Sequence, residues 1–368
     1  MYIELLREDL LRPLQSIIGV VEKRQTLAIL ANVCIKTISE SELRLTTTDL
    51  EIEMSADLNG KVIDLGTVTS PARKLLDICK ALPEGSTLTL RFKNERLYLE
   101  SGCSRFVLST LPADEFPCIE GKNQGINFLV PAQIFMELLK KTSFAMAQQD
   151  VRYYLTGLLL EVESNLLRAV GTDGHRLALS ECAMPELSIE SKRAVILPRK
   201  AINELERLLG AVETSLDITV GESHARFQMD SIVLITKLID GKFPDYNRVI
   251  PAASTRKLRV DRASFHESLT RVSILANEEF RGVRLEIDTK ELRLFAHNPE
   301  NEEAEEAFPG QYEGEKLVIA FNAGYLQDML SVIKSEMVEF GFTGANASAL
   351  VRESGKTKSL YVIMPMRL

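Results

Sequence analysis

The sequence has no apolar run approaching the roughly 18 residues a membrane span requires, and Met1 to Leu11 carries charges where a secretory signal would be apolar. Its five cysteines, Cys34, Cys79, Cys103, Cys118 and Cys182, are scattered, odd in number and never spaced C-x-x-C. That pattern argues against a zinc site and against a disulfide framework, and it places the chain in a reducing compartment, the cytoplasm. The four histidines, His175, His224, His266 and His297, fall in no H-E-x-x-H setting, so neither metal nor cofactor is expected. Positive charge is also short. With 44 Lys and Arg against 52 Asp and Glu the net charge is −8, a balance that taken alone speaks against nucleic-acid binding. What is present is ordinary for a soluble globular protein, 45% hydrophobic and 26% charged over 368 residues, enough for two or three domains of roughly 100–150 residues.

The stretch Gly171-Thr172-Asp173-Gly174-His175-Arg176-Leu177 follows the strand-like run Leu166 to Val170, and weaker echoes lie at Leu43 to Glu51 and Leu292 to Glu300. The separations, 166−43=123 and 292−166=126, are nearly equal. Helix starts repeat with the same period. Ser70 supplies a cap hydroxyl ahead of Pro71, Pro198 opens a second such helix and Asn322 can cap a third; 198−71=127 and 322−198=124. A first helix precedes each: Glu8 to Val21 with Leu10, Leu11, Leu14, Ile17 and Ile18 on one face, Pro131 to Met146, and one capped by Asp261 with Phe265, Leu269 and Val272. Alternating runs such as Glu42–Thr47, Leu50–Leu58, Leu88–Phe92, Leu216–Val220 and Val338–Phe342 read as strands. The expected fold is therefore α+β, with three repeated domains of two helices on antiparallel sheets, bounded at 1–125, 126–252 and 253–368.

Asp173 with His175 could orient a general base, as in a hydrolase, but no G-x-S-x-G elbow accompanies it and its echoes, Asp49/Glu51 and Asn298/Glu300, lack histidine. A turn or pocket role is favoured. Ser354-Gly355-Lys356-Thr357 resembles the end of a P-loop, yet Leu350 stands where glycine is required and a strand follows. Asp49, Glu51 and Glu53 alternate as on a solvent-facing strand. Basic residues recur beside the helices: Arg7, Arg12, Arg24, Arg73, Lys74, Lys140, Lys141, Arg199, Lys200, Arg262 and Arg271. Solvated helix faces explain any one of them; recurrence in three copies points to a common anionic ligand. Tyr153 and Tyr154 beside Arg152 fit a base-stacking surface and a half-buried strand edge equally. Glu302, Glu303, Glu305 and Glu306 form an acidic run in copy three, while copy one offers Arg96 and Arg105 beside Phe106 and Leu108. Surfaces of opposite charge at the two ends of one chain suit a head-to-tail contact, which closes into a ring if the rotation allows.

Several blocks together resemble the bacterial sliding clamps, the beta subunits of DNA polymerase III. They are Thr48-Asp49-Leu50-Glu51, Pro71-Ala72-Arg73-Lys74, Ser104-Arg105-Phe106, Asp150-Val151-Arg152-Tyr153-Tyr154, Thr172 to Leu177, Phe243-Pro244-Asp245-Tyr246, Phe280-Arg281-Gly282-Val283-Arg284 and the tail Tyr361 to Leu368. The resemblance implies a non-catalytic, head-to-tail homodimer forming a six-domain ring around double-stranded DNA, read without regard to sequence. It implies docking by the clamp loader, the replicative polymerase alpha subunit, and other polymerases and repair proteins through short peptides. Carried over by position, the peptide groove would use Leu155, Thr172, Gly174, His175, Arg176, Leu177, Pro244, Arg248, Val249, Asn322, Tyr325, Ser348, Val362, Met364, Pro365, Met366 and Arg367. DNA would meet Arg24, Arg73, Gln149, Tyr153 and Tyr154, with Arg199 and Lys200 as further basic candidates. The dimer contact would set Phe106 and Leu108 against Ile274 and Leu275, with Lys74, Arg96 and Arg105 facing Glu302, Glu303, Glu305 and Glu306. Cys103 stands where another basic residue is expected there.

Overall fold

The computed structural model describes residues 1–22, 27–119, 125–185, 187, 189, 192–210, 214–251, 254–289, 291–353 and 358–367. Within them a strand runs straight into a helix six times, and three strands follow each time. The first such set is β1 (Tyr2–Leu6), α1 (Arg7–Ile17), β2 (Asn32–Thr37), β3 (Glu42–Thr48) and β4 (Ile52–Asn59). After a short β5 (Lys61–Asp64) comes β6 (Thr67–Pro71), α2 (Ala72–Ala81), β7 (Thr87–Lys93), β8 (Arg96–Ser101) and β9 (Ser104–Ser109). The next two sets are β10 (Ile126–Pro131), α3 (Ala132–Thr142), β11 (Gly157–Glu163), β12 (Leu166–Thr172) and β13 (Arg176–Ala183), then β14 (Arg193–Pro198), α4 (Arg199–Leu209), β15 (Ser215–Val220), β16 (His224–Met229) and β17 (Ile232–Lys237). The last two are β18 (Arg256–Asp261), α5 (Arg262–Val272), β19 (Gly282–Ile287), β20 (Leu292–His297) and β21 (Glu303–Phe308), and, after β22 (Gln311–Glu313), β23 (Leu317–Asn322), α6 (Ala323–Val332), β24 (Met337–Phe342), β25 (Ala349–Glu353) and β26 (Ser359–Ile363).

Strand register fixes the repeat more tightly than the sequence echoes do. Asn32 pairs with Pro71, Gly157 with Pro198 and Gly282 with Asn322, so equivalent positions are 157−32=125 and 282−157=125 residues apart. Each copy is itself two half-units that exchange their first strands: β1 joins β7 and β6 joins β2, as β10 joins β15 and β14 joins β11, and as β18 joins β24 and β23 joins β19. The strands before the helices leave little trace in the sequence because they are short and two-faced. In β6, Val68, Thr69 and Ser70 are buried in succession, two of the three polar, so neither alternation nor an apolar run marks the strand. Ser70 is thus a strand residue and not the helix cap expected of it; its Oγ is buried with no hydrogen-bond partner among the described residues. The caps expected at Asp261 and Asn322 do form, accepting from the amides of Ser264 at 2.8 Å and Tyr325 at 3.3 Å.

The chain forms two compact units, one of Met1–Gln133 with Asn203–Leu238, the other of Ile134–Ile202 with Ile239–Leu368. In the first unit the sheets run β5-β1-β7-β8-β9 and β10-β15-β16-β17-β4-β3-β2-β6. Helix α1 buries Leu10, Leu14 and Ile17, and α2 buries Leu75, Leu76 and Cys79. The face expected for Asp49, Glu51 and Glu53 is corrected here. Asp49 and Glu51 lie in a turn, and Glu53 is only 3% exposed, accepting the amide of Ile119 at 2.8 Å. In the second unit the sheets run β14-β11-β12-β13-β26-β25-β24-β18-β22 and β21-β20-β19-β23. Its core centres on Phe265, Phe321, Phe340, Phe342 and Tyr361. These units cut across the repeat because strands of successive copies pair, β17 with β4 in one unit and β13 with β26 in the other.

Candidate functional site

The β12–β13 turn is built by side chains that bond their own backbone. Asp173 Oδ1 accepts the amides of His175 and Arg176, both at 2.9 Å, and Thr172 Oγ1 donates to the Arg176 carbonyl at 2.6 Å. Gly174 sits at φ +90°, a conformation costly for a residue with a Cβ. Copy one makes the same turn: Asp49 Oδ1 accepts the amides of Glu51 at 2.9 Å and Ile52 at 2.7 Å, with Leu50 at φ +80°. In copy three the turn is longer, with Asn298 Oδ1 accepting from Glu302 at 2.9 Å and Asn301 at φ +63°. Asp173 therefore serves the backbone, and its other oxygen takes Arg176 Nε at 3.1 Å. The hydrolase alternative, in which it would orient His175, has no support in this geometry.

Arg176 is the hub. It bonds Asp328 Oδ2 at 2.6 Å and the Phe144 carbonyl at 2.8 Å, and its guanidinium carbon lies 4.5 Å from the Tyr325 ring centre and 5.3 Å from that of Phe144. The His175 ring also stacks against Tyr325, centroids 6.5 Å apart and 23° from parallel. The guanidinium is thus fixed from several directions and forms one edge of a depression.

That depression, an open cavity of about 580 Å³, is lined by Leu155, Thr172, Gly174, His175, Arg176, Leu177, Pro244, Val249, Val362 and Met364, all expected from the sequence. Arg152, Asp245 and Tyr246 line it as well, beyond the groove residues carried over by position. Their blocks, Asp150 to Tyr154 and Phe243 to Tyr246, were the available signal. The floor is apolar: Leu155 is 1% exposed, Leu177 3% and Val362 2%. Arg152 stands at the rim, held by Asp150 through contacts of 3.0 and 2.8 Å, and those bonds lower the Asp150 carboxyl to about 2. The remaining groove candidates are outside that lining, though Tyr325 and Arg248 touch residues that belong to it. Tyr325 joins His175, Arg176, Gln149 and Arg199 around a wider, more polar depression of about 1380 Å³. Asn322 caps α6 and donates to the Phe280 carbonyl at 3.2 Å. Arg248 is exposed and pairs with Asp245 at 3.0 Å, while Ser348 is half-buried ahead of β25. Of the tail, Met364 is tied through its amide to the His175 carbonyl at 2.9 Å and Met366 to the Ala320 carbonyl at 2.8 Å, leaving Pro365 half-buried and Arg367 exposed.

A small apolar cleft with one arginine hub on a three-copy α+β chain matches known proteins along its whole length. Family models of the DNA polymerase III beta subunit cover residues 1–120 (N-terminal domain), 129–245 (central domain) and 247–367 (C-terminal domain). The beta sliding clamp of Pseudomonas putida is 45% identical over 369 residues, covering 100% of both chains, and that of Escherichia coli K12 is 41% identical over 363 residues, covering 98% of both. The crystal structure of the DNA polymerase III subunit beta from Pseudomonas aeruginosa superposes with a TM-score of 0.96 at 44% identity, covering 100% of both chains. A second structure of the Pseudomonas aeruginosa clamp, bound to griselimycin, gives 0.96 at 45% with the same coverage. The chain belongs to the DNA polymerase III beta subunit family, the beta sliding clamps. Its function is that of a DNA sliding clamp, a non-catalytic accessory subunit in partnership with DNA and polymerase, and its fold is three α+β clamp domains.

The clamp's candidate DNA residues divide into free and tethered groups. Tyr153 is 57% exposed, Gln149 is exposed, and the Tyr153 and Tyr154 rings meet edge-on at 5.9 Å. Arg73 instead bonds the Val21 carbonyl, and Arg199 bonds the carbonyls of Met146 at 2.6 Å and Ala147 at 3.0 Å, each just past the 3-10 turn that ends a first helix. Lys200 is half-buried, and Arg24 lies outside the described residues, as does the Ser354–Thr357 stretch. The basic helix faces are thinner than the sequence suggests, since Lys141 is 6% exposed against Glu353 and Glu137 and Arg271 is bound by Glu306. Arg12, Lys74 and Lys140 remain exposed.

Of the candidate dimer residues, Phe106 and Leu108 lie on β9, an outer strand of its sheet, and Ile274 is 76% exposed beside half-buried Leu275. Arg96 is exposed, and Arg105 pairs with Glu100 at 3.3 Å and leans over Tyr98. Glu303, Glu305 and Glu306 lie on β21, also an outer strand. The acidic run is partly used within the chain: Glu306 takes Arg271 and Ser268, Glu305 takes Arg293 at 3.6 Å, and Glu302 takes Asn298.

Proposed function

We propose that two copies of this chain close head to tail into a six-domain ring around duplex DNA, with clamp domains at 1–125, 126–252 and 253–368. Strand order carries the reading. The last strand of each copy's first half pairs with the last strand of the next copy's second half, β4 with β17 and β13 with β26. By that rule β21 has no following copy and β9 no preceding one, and both are outer strands of their sheets. A second chain supplies each with its partner, which removes two exposed edges at once. Phe106, Leu108, Ile274 and Leu275 form the apolar part of this contact, with Lys74, Arg96 and Arg105 opposite the glutamates.

The apolar cleft is the docking site for clamp-binding peptides of the clamp loader, the polymerase alpha subunit, and other polymerases and repair proteins. Its apolar floor, the adaptable Met364 and the griselimycin-bound relative support this. Duplex DNA passes through the ring against Arg24, Arg73, Gln149, Tyr153, Tyr154, Arg199 and Lys200 without base readout, in the cytoplasm. Among the described residues no helix is long and apolar enough to cross a membrane.

Loading on a nicked circular plasmid tests the ring. The clamp is expected to stay on the closed circle and leave after linearisation, with weak, salt-sensitive affinity for linear DNA. Tight binding to linear DNA that survives high salt would overturn it. His175→Ala is expected to weaken griselimycin binding and leave the dimer intact.

A further inference from the structure

We propose that the Tyr246 hydroxyl is a positioning group for the cleft, holding the strap of residues 239–250 at the place where Pro244 and Val249 can form one wall. The inference rests on the cleft being the peptide-docking site. Among the described residues the strap pairs in no sheet, and its backbone bonds are local apart from the Ile239 amide on the Ile196 carbonyl at 2.9 Å. It is laid over one face of β11, β12 and β13, where Leu159, Val170, Leu177 and Leu179 form an apolar patch covered by Phe243 and Tyr246. Apolar covering is non-directional, so it holds the strap down without fixing where along the patch it sits.

Direction comes from one end of that face. Glu161 on β11, Arg168 on β12 and Glu181 on β13 are cross-strand partners, two residues along from Leu159, Val170 and Leu179. Arg168 bridges both carboxylates, at 2.9 Å to Glu161 and 2.8 Å to Glu181, and Lys192 reaches the other Glu161 oxygen at 2.8 Å. Into this row the Tyr246 hydroxyl donates to Glu161 Oε2 at 2.6 Å and accepts from Arg168 Nη1 at 3.1 Å. Among the described residues these are the strap's only side-chain hydrogen bonds outside itself; Asn247 and Arg248 bond Asp245. Burial, then the bond to Glu161, pushes the phenol up to about 12, so it remains a donor at neutral pH. Tyr246 also opens the 3-10 turn that ends at Arg248, with the Val249 amide on its carbonyl at 3.1 Å. Fixing one hydroxyl therefore fixes Val249.

Tyr246→Phe keeps the ring in the patch and leaves Glu161 paired to Arg168 and Lys192, which makes the hydroxyl separable from the fold. Griselimycin is the probe, with binding measured by calorimetry on the full chain. The variant is expected to bind about tenfold more weakly, as befits the loss of the hydroxyl's two charge-assisted bonds, to Glu161 and from Arg168, offset in part by the pairing those two keep with each other. Amide exchange at Arg248 and Val249 should quicken while the melting temperature stays within a few degrees. In a Glu161→Gln background the same change should cost only about twofold, because the bond is already weakened. Unchanged binding in Tyr246→Phe, equal losses in both backgrounds, or unfolding of Tyr246→Phe would each overturn the proposal. If Glu161→Gln does not fold, exchange at Arg248 and Val249 in Tyr246→Phe decides alone, and unchanged exchange overturns it. Failure of the unaltered chain to bind griselimycin would instead overturn the reading of the cleft itself.

Discussion

Arg176 Nη1 lies 2.6 Å from Asp328 Oδ2, joining the β12–β13 turn to α6 beside the cleft. The two ends of this pair are unequal: the Arg176 side chain is 11% exposed and that of Asp328 51%. Asp328→Asn is therefore expected to cost below about 1 kcal/mol, because the carboxylate is well solvated and Arg176 keeps Asp173 and the Phe144 carbonyl. Arg176→Ala removes the hub and its contacts with Tyr325 and Phe144, for about 2 kcal/mol. Urea unfolding of both variants checks the contrast; equal losses would mean that Arg176 gains little from its buried partners.

Gly174 and Leu50 occupy the same turn position with φ of +90° and +80°. A Cβ at Gly174 would lie 3.0 Å from the Arg152 guanidinium, so Gly174→Ala adds crowding to backbone strain. It should cost about 1–2 kcal/mol and displace Arg152 from the cleft rim. Leu50→Gly should go the other way, by up to about 1 kcal/mol, since the strain relieved exceeds the chain entropy lost. Thermal melts of the pair are enough, and a gain in stability for Gly174→Ala would refute the assignment of strain.

How much of this was legible follows from where the signals lie. The period was readable because Asp and Asn that bond their own backbone mark each turn, and a residue type needed for local bonding survives as a local pattern. The half-unit exchange was not, since strands such as β10 bury only Phe128 and Val130 fully and their partners lie far along the chain. In the cleft, Gly174 to Leu177 could be found from the turn, whereas Arg152 and Tyr246 flank or open single 3-10 turns, which carry no periodicity. Helix basicity misled for the same reason: nothing near Lys141 reveals that Glu353 neutralises it from 212 residues away.

Tyr246 also sets a pH dependence. Its folded phenol is raised from 10.0 to about 12, so the fold favours the protonated form. The stabilisation is complete below pH 10 and is lost as pH rises through about 12. A two-unit shift corresponds to an upper figure of about 2–3 kcal/mol. Unfolding free energy measured from pH 9 to 12 should fall less steeply in Tyr246→Phe than in the parent. Identical slopes would show that Tyr246 titrates alike in the folded and unfolded chain.

The ring makes its sharpest prediction at β9. Val107 is 51% exposed on that outer strand, and proline there removes an amide and stiffens the backbone, while the interior of the domain is left untouched. Val107→Pro is expected to convert a dimer into monomers in sedimentation at micromolar concentration. Charge reversal is a subtler probe, because Glu306 is already held by Arg271 and Ser268, so altering it disturbs α5 as well as any partner. Glu303 carries no such bond among the described residues, and Glu303→Lys tests the acidic edge alone. It should weaken the dimer a few-fold at low salt and less as salt rises, in keeping with a screened contact. A dimer indifferent to both Val107→Pro and Glu303→Lys would show that β9 and β21 do not meet across the subunit boundary, and the head-to-tail closure derived from strand order would fall.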